Sequence, residues 1–365
     1  MASEAIIDID EMLNPISEDN PVGDDIREDS SATSPYNTIK DARNAARAAE
    51  RKNMFESSNS EADGKWREVM ELAVEILKNQ AKDLDVASWY TESLIRRHGF
   101  PGLRDGLSLI RGLLEQYWDD LYPLPDEDGL ETRVASLTGL NGEGAEGVLI
   151  APMRNVTLTE GSEPGPFNFW KYQQALEVEK IIEEGAKSEK ASKLGFSLDD
   201  IDRAVTESSE TFFINLRDDV AEALSIYRDI NRILDEKCGV NDSPPTSNII
   251  NTLEECLGTI NHVGKYKFPA EDSADEPEDA TNSSSASGGK VTSGPITSRE
   301  QAFRTLTEIS EFFRKSEPHS PISYILARAV KWGDMPLDSL IRELIPESSA
   351  RDFYSSLTGI KIDDD

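Results

Sequence analysis

The sequence predicts an all-α protein: a helical N-terminal domain built on an αα-hairpin, a helical middle region, a flexible acidic linker and a small helical C-terminal module. Three observations predict this. Apolar residues recur at steps of three and four along most of the chain, the spacing of one helical face. Proline and glycine cluster between those stretches, where they end one helix and open the next. Period-two alternation is confined to one short segment, residues 148–161.

Residues 1–30 hold ten acids and one base, Arg27, interrupted by Pro15, Pro21 and Gly23. Such a segment has too little apolar surface to fold alone, so it is expected to lie extended over the domain. Residues 35–52 consist of good helix formers. After a polar gap at 56–64, residues 64–80 place Trp66, Val69, Met70, Ala73, Val74 and Leu77 on one helical face.

The hairpin spans residues 82–126. Val86, Trp89, Tyr90, Leu94 and Arg97 line one face of its first helix. Gly99-Phe100-Pro101-Gly102 breaks the chain, and Leu103, Leu107, Ile110, Leu114, Tyr117 and Leu121 line the second helix. So short a connection predicts antiparallel packing. Pro123 and Pro125 close the unit. A short helix is expected over 130–140, then a glycine-rich turn at Gly142, Gly144 and Gly147. Residues 148–161 are either extended, around Val156-Thr157-Leu158-Thr159, or an ordered loop closing the first domain at 161.

The middle region, 162–269, returns to helical spacing. Ser197 and Asp200 form a capping-box pattern. A long helix follows with Phe213, Leu216, Val220, Ala223, Tyr227, Ile230 and Leu234 as an internal bundle seam, ended at Cys238-Gly239. Pro244-Pro245 then leads into a helix bearing Ile249, Ile250, Leu253, Leu257 and Ile260. Residues 270–294 are acidic, Ser- and Gly-rich, and are the expected mobile linker. A nonspecific protease is expected to cut there first, leaving fragments of roughly 270 and roughly 75 residues. Initial cleavage near 160 would contradict that placement.

The C-terminal module, 295–365, opens on the capping pattern Ser298-Arg299-Glu300-Gln301, with Ala302, Leu306, Ile309 and Phe313 on its face. Pro321 opens a second helix, Pro336 a third, and residues 349–357 a fourth. The module has nine Lys/Arg against twelve Asp/Glu, whereas the whole chain carries −32. Its copies therefore repel one another least. Phe303, Phe312, Phe313, Tyr324, Trp332, Phe353 and Tyr354 are more aromatic surface than so small a unit hides easily, which makes them the candidate oligomerisation residues.

The charge disfavours nucleic acid and anionic membranes as partners. No apolar run approaches the roughly 20 residues of a spanning helix, and the acidic N-terminus is unlike a secretory signal, so a cytoplasmic location is expected. Cys238 and Cys256 are read as free thiols, and His98, His262 and His319 are too scattered for a zinc site. His98 follows two arginines at a helix end and reads as a structural cation near the dipole. The acidic clusters Trp118-Asp119-Asp120 and Asp126-Glu127-Asp128 read as solvated carboxylates rather than a catalytic pair. Gly139, Gly142, Gly144 and Gly147 lack the lysine of a phosphate loop. Trp66, Trp89, Trp118 and Trp170 read as core. No catalytic, cofactor-binding or metal-ligating residue is assigned.

One stretch carries a resemblance. Residues 85–128, DVASWYTESLIRRHGFPGLRDGLSLIRGLLEQYWDDLYPLPDED, are similar to the signature of the ImpA N-terminal family, whose domains begin the TssA subunits of bacterial type VI secretion systems. The matching positions include Trp89, Leu94, His98, Gly99, Phe100, Gly102, Leu103, Leu107, Leu114, Trp118, Tyr122 and Pro123. A second matching segment runs from Pro15-Ile16-Ser17 through Asn20-Pro21-Val22-Gly23-Asp24, Tyr36 and Asp41-Ala42-Arg43. The resemblance implies a non-enzymatic bacterial component that organises the baseplate and contractile sheath–tube as a ring-like homo-oligomer. The implied partners are other copies of itself and the baseplate, sheath and tube proteins. EPHSPISYILARAVKW with PLDSLIRELIP resembles the C-terminal module of the shorter, baseplate-associated variants. The rival classes are an acidic helical adaptor or chaperone of another complex, which a monomeric mass would favour, and a cryptic hydrolase, which substrate screening would reveal.

Overall fold

The computed structural model describes residues 2–53, 60–127, 129–161, 163–239, 242–268, 299–316, 321–333, 335, 337–345 and 351. The expected linker at 270–294, the fourth C-terminal helix at 349–357 apart from Arg351, and His319 all lie outside them. The chain forms two compact units, one within residues 1–276 and one within 277–365. Both are helical. Among the described residues the only β contacts are isolated bridges.

The larger unit contains α1 (Ile9–Leu13), α2 (Pro35–Asn53), α3 (Ser60–Asn79), α4 (Leu84–Tyr117), α5 (Glu131–Asn141), α6 (Ile150–Asn155), α7 (Phe169–Glu179), α8 (Glu184–Leu194), α9 (Leu198–Glu207), α10 (Glu210–Cys238) and α11 (Ser247–Val263). The helix α3 begins at Ser60, so the polar gap expected at 56–64 is shorter than its composition suggests. Short α1 interrupts the acidic leading segment because Asp8 caps it, accepting from the Glu11 amide at 3.0 Å.

The centre is α4, whose two limbs meet at Gly99, where φ is 63° and ψ is −142°. Gly102 lies so close to Leu94 that an added Cβ would fall 2.4 Å from the Leu94 carbonyl oxygen. A Cβ on Gly106 would fall 2.7 Å from Thr91 Oγ1. Along one straight helix these pairs would be about 12 and about 22 Å apart, so the second limb folds back over the first. At the open end the Leu84 amide donates to the Tyr122 carbonyl (2.8 Å) and the Tyr122 amide to the Lys82 carbonyl (3.1 Å). The hairpin is thus real, and glycine lets its limbs approach more closely than side chains would allow.

Both α3 and α10 pack against it, and α2 packs on α3. The α10 stripe Phe213, Leu216, Val220, Ala223, Tyr227, Ile230 and Leu234 is buried throughout and belongs to the same core cluster as the hairpin. The expected boundary at 161/162 therefore falls inside one packed unit. Residues 148–161 split: Ile150–Asn155 is helical, and Leu158 donates to the Phe167 carbonyl in a single antiparallel bridge region. The β-branched run was too short to claim more than one bridge.

Ser197 and Asp200 form both halves of the capping box. Gly239 follows α10 with φ 82°, and its amide donates to the Asp235 carbonyl at 3.1 Å.

The smaller unit contains α12 (Arg299–Ser316), α13 (Ile322–Gly333) and α14 (Leu337–Leu344). Phe303 packs on Gly333, where a Cβ would sit 2.1 Å from the ring. Ser310 Oγ donates to the Ser323 carbonyl at 2.7 Å, and Arg328 pairs with Glu343 at 2.9 Å.

Candidate functional site

The signature residues surround a set of buried ionic clamps. Glu92, on the first limb of α4, is fully buried. Its carboxylate accepts from Arg43 Nε at 2.7 Å and from Arg47 Nε and Nη2 at 2.7 and 2.9 Å. Arg96, one turn on, stands 3.4 Å from the same carboxylate and also donates to Glu50 at 2.7 Å. Arg96 lies 4.3 Å over the Trp66 ring, and Trp66 Nε1 donates to Glu50 at 2.8 Å. Arg43 lies 5.3 Å from the Trp89 ring. Burial pulls the Arg43 guanidinium below its ordinary range, and Glu92 opposes that pull. Three guanidinium groups thus converge on one buried carboxylate. It fixes α2 and α3 against α4.

A second clamp holds the leading segment. Asp83 caps α4 by accepting from the Val86 amide at 3.0 Å and pairs with Arg27, which also reaches Asp85 at 2.6 Å. Tyr36 lies beneath the Arg27 guanidinium, 4.4 Å from ring centroid to charge, and its hydroxyl donates to Asp85 at 3.3 Å. Burial pushes the Asp83 carboxyl up, and Arg27 pulls it back.

Between the clamps Lys82 is fully buried, and its ammonium donates to the Met12 and Leu77 carbonyls at 2.7 and 2.6 Å. Burial lowers it to about 8. The folded chain thus binds this proton more weakly than the unfolded chain, and the charge burdens the fold below about pH 8. Raising the pH from 7 to 10 is expected to increase the unfolding free energy of the wild type relative to Lys82→Met, by up to about 3 kcal/mol. Denaturant titrations of both proteins across that range check the slope, and parallel pH profiles would contradict it.

Of the signature positions, Trp89, Leu94, Phe100, Gly102, Leu103, Leu107, Leu114, Trp118 and Pro123 are buried, while Gly99 and Tyr122 are half-buried. His98 is exposed, and partial desolvation and Arg97 hold its pKa below the ordinary imidazole range. Arg133 escaped the sequence reading. Buried on α5, it donates to the carbonyls of Trp118 (2.6 Å), Pro123 (3.1 Å) and Asp119 (3.4 Å) and lies 5.1 Å from the Trp118 ring. It satisfies the carbonyls left open where α4 ends. Nothing local in sequence links an arginine on one helix to the end of another.

The remaining candidates gather no chemistry. Gly142 and Gly147 press against backbone, with added Cβ atoms 2.1 Å from the Ala145 and Leu140 carbonyl oxygens, so the glycine loop is a tight cap on α5. Cys238 and Cys256 are free thiols, and burial pushes Cys256 up to about 12. No group of three or more His, Cys, Asp or Glu fit to hold a metal occurs among the described residues. No described helix is long and apolar enough to cross a membrane. A cleft of 670 Å³ beside α6 and α11 is lined by Glu146, Arg154, Asn248 and Glu255, and Arg154 pairs with Glu146 across it at 2.8 Å. Trp170 is 48% exposed rather than core, because Asn168 caps α7 in a register that turns Phe169 and Tyr172 inward.

In the smaller unit Tyr324 is exposed, while Phe303, Phe313 and Trp332 are half-buried. The side chain of Phe312 and all of Phe353 and Tyr354 lie outside the described residues.

The larger unit is thus an all-α domain built on a glycine-locked hairpin and held by buried ionic clamps. Residues 13–142 match the family model "ImpA, N-terminal, type VI secretion system". The chain is 27% identical to the type VI secretion system component TssA1 of Pseudomonas aeruginosa over 366 residues, covering 97% of this chain and 99% of that one. The N-terminal domain of the TssA component of Burkholderia cenocepacia, including its conserved ImpA N-terminal region, superposes with a TM-score of 0.59 at 26% identity, over 71% of this chain and 94% of that one. Over nearly its whole length the chain is thus similar to TssA components of type VI secretion systems.

Proposed function

We propose that this chain is a non-enzymatic, cytoplasmic assembly component that forms a ring-like homo-oligomer through residues 295–365 and organises the type VI baseplate and contractile sheath–tube, as the shorter, baseplate-associated members do. The observation that carries the reading is an apolar surface on the smaller unit. Tyr324 and Ile325 of α13 are 63% and 60% exposed, with Ile322 and Leu344 also exposed. Several large apolar side chains left exposed on the short helix α13 support an interaction surface there. Charge supports the assignment, since this module is close to neutral in a chain of −32. Larger, strongly acidic units would repel at close range within a Debye length of roughly 8 Å. The Pseudomonas aeruginosa type VI secretion component matches over nearly its whole length, which supports a role in type VI secretion.

Light scattering on residues 1–268 and on residues 295–365 tests the assignment. The shorter fragment is expected to be oligomeric and the longer one monomeric or nearly so. A monomeric 295–365 beside an oligomeric 1–268 would move self-association to the α10 region.

A further inference from the structure

The leading segment of the chain occupies what has the geometry of a peptide-binding groove. Its floor is the second limb of α4, and α10 forms one wall. Ser3 donates its amide to Asp219 Oδ1 at 3.0 Å and its hydroxyl to Oδ2 at 2.6 Å. Arg104 donates to the Ser3 and Glu4 carbonyls at 2.8 and 3.2 Å. The Ile6 and Ile7 amides donate to Asp105 at 2.5 and 3.4 Å. Further along, Leu13 fills a notch that exists only because residue 112 is glycine, where a Cβ would stand 2.4 Å from Leu13 Cδ1. The Leu13 carbonyl accepts from Tyr117 at 2.6 Å, and Lys78 pairs with Glu11.

Two properties separate this from an ordinary packed terminus. First, the recognising side chains are pre-arranged. Arg104, Asp105 and Asp219 are 6%, 3% and 1% exposed, and Arg104 pairs with Asp105 at 2.8 Å and with Asp219 at 2.5 Å. If the segment left, those pairs would remain, and Lys82 would keep the Leu77 carbonyl until an identical segment restored that of Met12. Second, the segment is lightly held. Of residues 2–13 only Met12 is buried, and the rest are half-buried or exposed. Segments with few buried apolar contacts open at a small fraction of the global unfolding cost.

We propose that the α4–α10 groove is a preformed peptide-recognition site that residues 2–13 fill reversibly, and that the same segment of a second copy of this chain can take their place. The ligand class is an acidic peptide with a hydroxyl-bearing residue near its start and a short helical turn ending in paired apolar residues. Specificity comes from Asp219 reading the hydroxyl and from the Gly112 notch reading the leucine. This reading is independent of self-association through residues 295–365.

The test uses the full chain with a specific protease site inserted between Glu18 and Asp19, both exposed. After cutting, a fluorescent peptide of residues 2–18 is expected to bind saturably and to displace the native segment, while the uncut chain takes it up far more slowly. Asp219→Asn in the cut chain is expected to weaken binding about tenfold or more. No uptake, or uptake equally good with a scrambled peptide or with Asp219→Asn, would overturn the proposal. If the cut chain loses its fold, hydrogen exchange on the uncut chain decides instead. The Ser3, Ile6 and Ile7 amides are expected to exchange about a hundredfold faster than those of Leu107 and Leu114, and equal rates would overturn the proposal.

Discussion

Glu92→Gln is expected to lower the unfolding free energy by about 3–5 kcal/mol. The fully buried carboxylate is the shared partner of Arg43, Arg47 and Arg96. The amide keeps the shape but removes the charge and turns an N–H toward guanidinium donors. Three cations then face one another in a site with little water, with only Glu50 near Arg96 to offset them. Buried charges deprived of a partner cost more than the pair contributes, so the single substitution should be severe. Replacing Glu92, Arg43 and Arg47 together by leucine should recover much of the loss, because no stranded charge remains. Urea titrations with a shared slope measure both effects. A Glu92→Gln midpoint equal to wild type would show that the clamp does not hold α2 and α3 to the hairpin.

Leu114→Ala is the second large effect, expected to cost about 2–5 kcal/mol. Leu114 is fully buried on the returning limb of α4, inside the core that also includes α10 residues. Truncation leaves a cavity that glycine-tight neighbours cannot readily collapse into, since Gly102 and Gly106 already bring the limbs to contact. A thermal melt of the variant that overlays wild type would place Leu114 at an interface instead of the core.

The hairpin was legible in sequence because each cue was local. Leu103, Leu107, Ile110 and Leu114 keep helical spacing, and Gly99 and Pro101 break the chain where the limbs reverse. The ionic clamps were not legible. Glu92 sits in a run, TESLIRR, with no local sign of an ionic partner, and its partners Arg43 and Arg47 lie 49 and 45 positions away. The same holds for Arg27 with Asp83 and for Arg104 with Asp219, which pair across 56 and 115 positions. Buried charge is satisfied by tertiary contact, and a periodicity argument registers only which face is apolar. Trp170 failed for the opposite reason: its place beside a helical face suggested core, but the register of α7 is set by the Asn168 cap. The groove that holds Ser3 combines both limits, since a polar, acidic segment gives no sign of the site that receives it.

The central claim is that this chain works as a self-assembling scaffold, and the mass of the intact 40.4 kDa chain in dilute solution tests it most directly. Mass photometry is expected to show one dominant species at an integer multiple of the chain mass, lost when residues 295–365 are removed. A single population at the monomer mass, unchanged by that deletion, would contradict the account.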